Sequence, residues 1–101
     1  MADIDVYNKA INKFGVTAQM VVAMEECSEL IKEISKIIRG KGDISNLAEE
    51  VADTEIMLEQ LKLIFAIHSK VMQIKGDKIT RLNNLLNKEA PDNEKNTNSN
   101  L

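Results

Sequence analysis

The 101-residue chain is expected to fold as an all-α protein, an antiparallel helical bundle completed by oligomerisation. Three observations lead there. Four glycines and one proline leave long stretches rich in Leu, Ile, Ala, Lys and Glu unbroken. No alternating apolar and polar run of useful strand length occurs, and Tyr and Phe together contribute only three aromatic residues. A chain this short makes one domain with a limited core, so self-association is a natural way to cover what stays apolar. Residues 1–89 are read as that domain and 90–101 as a tail.

The first helix is expected over Ile4 to Lys13, ending at Gly15, where a left-handed cap residue belongs. Thr17 offers a hydroxyl to cap a second helix running to about Arg39. GKGD, residues 40 to 43, has the stop and start chemistry of a tight connection, with Asp43 or Ser45 as the next cap. The two flanking helices should therefore pack antiparallel. The third helix, from about Ser45, meets no strong breaker before Gly76, and a bend near AIHSK, residues 66 to 70, is expected to interrupt it. A last helix carries ITRLNNLLNK. Beyond it, Pro91 and DNEKNTNSNL have almost nothing to bury, and the tail is expected to be disordered.

The net charge of −3 gives no overall basic field, which disfavours nucleic acid or an anionic membrane as the main partner. One cysteine cannot form an internal disulfide, and MADIDVYNKA lacks the basic and apolar regions of a signal peptide, so a cytoplasmic protein is expected. The longest apolar runs are too short to span a bilayer.

The segment MEECSELIKEI, residues 24 to 34, crowds like charge: Glu25, Glu29 and Glu33 follow at i, i+4 and repel on a helix. Lysines at i+3, Lys32 for Glu29 and Lys36 for Glu33, are one source of compensation; a metal cation is the other. At about 100° per residue, the second helix builds an apolar sector from Met20, Ala23, Cys27, Leu30, Ile31, Ile34, Ile37 and Ile38. Cys27 then reads as a small buried residue. Glu26 lies at the sector's edge, and Glu29 further round. On the third helix Leu47, Val51, Thr54, Leu58, Leu61 and Phe65 form a stripe that Met57 and Ile64 widen, with Glu50 inside it and Asp53 at its border. A carboxylate on a core-facing stripe is costly unless neutralised, paired or bound to a metal, and no Lys or Arg lies one turn away on that face.

Folding the second helix back about residues 41 and 42 sets Glu29 roughly level with Thr54 and offsets Glu26/Glu29 from Glu50/Asp53 by about one helical turn. Four carboxylates then converge, each pair spaced i, i+3. Such a set suits a hard cation with octahedral oxygen ligands, Mg²⁺ with Mn²⁺ as a mimic. His68 shares Glu50's face but lies about 27 Å along a straight helix, too far to join that metal, and reads as a core-edge histidine.

EECSE followed after twenty residues by EVAD forms an EExxE then ExxD pattern, and with Phe14, Gly15 and Gln19 before it and a basic segment after it the chain resembles the MazG-like all-α nucleoside triphosphate pyrophosphatases over roughly residues 10 to 90. The resemblance implies Mg²⁺-dependent hydrolysis of a (d)NTP to the monophosphate and pyrophosphate by a homodimer or homotetramer. It implies Glu26, Glu29, Glu50 and Asp53 as metal ligands and Glu25 as an auxiliary acid that holds a second metal or orients water. Gln19 belongs to the lead-in that the substrate side would use. Lys75, Lys78 and Arg81 match the family's basic segment loosely; recurring every third residue, they offer cations for the β and γ phosphates. The competing expectation is a non-enzymatic helical interaction protein whose charged faces dock a partner or its own copy.

Overall fold

The structure, a computed structural model, describes residues 2–88. Those residues form four helices and no strand: α1 (Asp3–Phe14), α2 (Val16–Ile38), α3 (Ile44–Phe65) and α4 (His68–Leu86). The chain divides after Ala66 into two compact units, the first holding α1, α2 and α3 and the second α4. The expected disordered tail lies outside the described residues. No helix among them is long and apolar enough to cross a membrane.

The chain leaves α1 at Gly15, whose φ is 95° and whose N–H closes on the Ile11 carbonyl at 2.9 Å. The Gly15 carbonyl accepts from Gln19 N–H at 3.1 Å, so α2 starts directly from the glycine. Thr17 therefore sits inside the first turn rather than at the cap, and no side chain caps this end. That corrects the expected start.

The connection between α2 and α3 fixes everything that follows. Lys41 N–H donates to the Lys36 carbonyl at 2.9 Å and Gly40 N–H to the Ile37 carbonyl at 3.0 Å. With Gly40 at φ 74° this is a Schellman ending, which needs the left-handed conformation that glycine adopts without a Cβ clash. The chain then doubles back along the last turn of α2. A Cβ on Gly42 would lie 2.5 Å from Ile37 Cδ1, so only glycine fits that approach. Asp43 starts α3 by accepting from Ser45 N–H at 2.7 Å, the cap chemistry expected of it.

α3 ends at Ala66, which adopts φ 54° and ψ 44°, so the expected bend falls at the start of AIHSK. α4 begins at His68 and runs through Gly76, where a break had been expected. A single glycine inside a helix costs only about 1 kcal/mol, too little to stop it. His68 itself is exposed, not at a core edge. A left-handed alanine is disfavoured relative to glycine. Ala66→Gly is therefore expected to stabilise the chain by roughly 0.5–1 kcal/mol, read as a higher urea midpoint. A lower midpoint would mean that this geometry costs alanine nothing.

α2 and α3 pack antiparallel: Gln19 near the start of α2 bonds Gln60 near the end of α3, and Glu26 lies level with Thr54. α1 packs on both. The buried line on α2 is Gln19, Ala23 and Glu33; on α3 it is Thr54, Met57 and Gln60. Cys27, Ile31, Ile34 and Ile38 of the expected α2 sector, and Val51, Leu58 and Phe65 of the expected α3 stripe, are exposed in the single chain. Both apolar arcs are wider than one neighbouring helix can cover, so the α2–α3 contact takes one edge of each and leaves the other open.

Toward one end of this contact Gln19 Nε2 donates to Gln60 Oε1 at 2.7 Å, with Gln60 only 4% exposed. Removing one partner strands a buried amide. Gln19→Leu is expected to lower stability by about 1–3 kcal/mol and the double change Gln19→Leu, Gln60→Leu to recover most of it. Chemical unfolding of both variants checks this; additive losses would show that the two amides act independently.

Candidate metal centre

Glu26, Glu50 and Asp53 each place a carboxylate oxygen within 4.8 Å of the others. Glu26 comes from α2; Glu50 and Asp53 come from α3, where the i, i+3 spacing puts both on one face. Glu26 and Glu50 are half-buried and Asp53 is exposed, so the group opens to solvent on one side. Thr54 Oγ1, itself buried, donates to the Glu26 backbone carbonyl at 3.4 Å and ties the two helices together beside the carboxylates.

Glu50 is the centre of strain in this group. Its pKa is pushed up to about 7, first by partial burial, then by the hydrogen bond to Glu26, then by the negative charges of Glu26, Asp53 and Glu29. Its Oε2 is shielded from solvent and has no hydrogen-bond partner among the described residues. Three acidic groups so close hold a proton, or they hold something more positive. The donor set is oxygen only, which suits a hard divalent cation.

Of the other carboxylates, Glu29 is exposed and stands outside the three-residue group, although its charge reaches Glu50. Glu25 is exposed as well. Glu33 behaves as the lysine explanation expected: Lys36 Nζ sits 3.4 Å from its Oε2. Unexpectedly, Glu33 is buried, and its Oε1 has no hydrogen-bond partner among the described residues.

The geometry differs from the sequence reading by register. Folding about residues 41 and 42 would set Glu29 level with Thr54, whereas the Schellman turn pivots at Gly40 and sets Glu26 there. That slip draws Glu26 into contact with Glu50 and Asp53.

Gln19 is buried and engaged with Gln60, about 10 Å along α2 from Glu26. Lys75, Lys78 and Arg81 lie on α4, in the second unit. Sequence reasoning did not single out Gln60, although a polar side chain between Met57 and Ile64 on the core face was a usable signal. Comparison of the chain with models of known families, with curated proteins and with solved structures finds no match.

Proposed function

We propose that this chain is a Mg²⁺-dependent nucleotide pyrophosphohydrolase of the MazG-like kind, converting a (d)NTP and water to the (d)NMP and pyrophosphate. The observation that carries the proposal is the Glu26, Glu50 and Asp53 group, three oxygen donors within 4.8 Å around an unpartnered Glu50 oxygen. Its sequence support is the EExxE then ExxD pattern. Glu26, Glu50 and Asp53 would hold the cation, with Glu29 as the adjoining fourth ligand. Bound Mg²⁺, or Mn²⁺ as a mimic, supplies a Lewis acid at the α-phosphoryl group, a more acidic water and charge neutralisation.

The chain's own residues do the rest. Without a cation the crowded carboxylates would repel a triphosphate, so Glu50 would have to give up its proton for a cation to be held there and the site to be neutralised before substrate approaches. Glu25 orients the attacking water. Water oxygen bonds to the α-phosphorus as the bond to the bridging oxygen breaks, the electron pair leaves on pyrophosphate, and the proton lost by the water is released to solvent. By the resemblance, Lys75, Lys78 and Arg81 are assigned to the β and γ phosphates, whereas Gln19, which the resemblance places on the substrate side, is buried against Gln60 and is left to the packing of α2 on α3. The setting is cytoplasmic and the working form a homodimer or homotetramer.

Pyrophosphate release from a panel of NTPs and dNTPs, with and without Mg²⁺, tests this. Release from at least one nucleotide, only with metal, is expected. No release from any of them favours the second reading, a non-enzymatic helical interaction protein, which the exposed apolar face of α2 supports.

A further inference from the structure

Thr54 follows Asp53 directly and stands one turn, about 6 Å, beyond Glu50 on α3. It is buried, at 7% exposure. Valine would fill the same space with no hydroxyl to satisfy, so packing alone does not ask for threonine there. A threonine inside a helix ordinarily turns its hydroxyl back to the carbonyl four residues earlier, here that of Glu50. Thr54 Oγ1 instead donates across to the main-chain carbonyl of Glu26 on α2, at 3.4 Å. That carbonyl lies inside α2 and accepts in the helical pattern, so it does not need the hydroxyl to escape being orphaned. The charges of Glu26 and Asp53 both act against that of Glu50, and the ion pairs Lys36–Glu33 and Lys62–Glu59 leave all three out.

We propose that Thr54 is a positioning residue of the cation site: its hydroxyl holds the Glu26 main chain against α3, and so sets the Glu26 carboxylate beside Glu50 and Asp53 without occupying any carboxylate oxygen. The inference deepens the metal reading above and rests on it. A tie made to the carboxylates themselves would take up oxygens that a cation needs. A tie to the backbone leaves every donor free and still fixes where the side chain starts. Glu50 and Asp53 need no such device, because their i, i+3 spacing on one helix fixes them relative to each other. Glu26 comes from the other helix, so its distance from them depends on how α2 sits on α3. The Gln19–Gln60 bond also joins these helices, but about 10 Å along α2 from Glu26, too far to set that carboxylate.

Mn²⁺ titration of the full chain without nucleotide, followed by the electron paramagnetic resonance of the free ion, tests this. Thr54→Val and Thr54→Ala, which lose the hydroxyl with and without its volume, are expected to bind Mn²⁺ about tenfold more weakly than wild type, and Thr54→Ser to stay within about twofold. Gln60→Leu loosens the same pair of helices away from the site. It is expected to lower the urea midpoint and to leave Mn²⁺ affinity within about twofold of wild type. Wild-type affinity in Thr54→Val or Thr54→Ala would overturn the proposal. An equal loss in Thr54→Ser would overturn it too, by showing that shape matters and the hydroxyl does not. An equal loss in Gln60→Leu would do the same, by making the effect one of general stability. A wild type that binds no Mn²⁺ would remove the cation site and the positioning role with it. Pyrophosphate release on the same preparations keeps the readings apart: hydroxyl-dependent affinity without turnover sinks only the hydrolase, and Mg²⁺-dependent turnover with an affinity indifferent to the hydroxyl sinks only the positioning role.

Discussion

Glu50→Gln is expected to lower Mg²⁺-dependent pyrophosphate release by at least about a hundredfold while circular dichroism and sedimentation stay as in wild type. The amide keeps the shape of the side chain and loses the charge that holds a cation. Loss of a supporting group around a metal typically costs 10–100-fold, and a direct ligand should cost no less. The same residue sets a pH dependence. Glu50 titrates near 7 in the folded chain against 4.5 for an ordinary glutamate, so the metal competes with a proton below pH 7. Apparent Mg²⁺ affinity should weaken about tenfold per pH unit below 7 and level off above it. For stability the sign runs the other way. Between pH 4.5 and about 7 the metal-free folded chain binds more protons at Glu50 than the unfolded chain, so this group's contribution falls as pH rises through that window. Wild-type turnover in Glu50→Gln would remove Glu50 from the ligand set.

Added Mg²⁺ is expected to raise the thermal midpoint of the wild type by about 10 °C or more once its concentration reaches a hundred times its dissociation constant. Ligand linkage gives about 2.7 kcal/mol at that ratio, and a domain of 60–100 residues gains about 4–8 °C per kcal/mol. The control is the triple variant Glu26→Gln, Glu29→Gln, Glu50→Gln. It has lost much of the repulsion that pushes Glu50 up, so without metal it should be at least as stable as wild type. With metal it should gain little. Equal responses of the two proteins to millimolar Mg²⁺ would make the glutamates of MEECSELIKEI a solvated surface.

The sequence by itself determined the all-helical class, the C-terminal ends of α1 and α2, a cap at Asp43 or Ser45, the antiparallel pairing of α2 with α3 and a bend near residues 66 to 70. These are local events: a glycine at positive φ, a carboxylate beside a backbone N–H, and a 3.6-residue period act over one or two turns. The same period placed Glu26 at the edge of the apolar sector and Glu50 within the stripe of its helix, so the members of the carboxylate group were legible before any fold was known.

Only the tertiary structure decided which of them touch. The pivot at Gly40 rather than residues 41 and 42 brings Glu26, not Glu29, level with Thr54, because a Schellman turn folds the chain back along its own last turn. A period gives direction around a helix but no distance along its neighbour. The burial of Gln19, Gln60 and Glu33 and the exposure of Cys27 and Ile31 were hidden for the same reason. An apolar arc shows which side of a helix avoids water, and the width of the neighbour packed on it decides how much of that arc is covered.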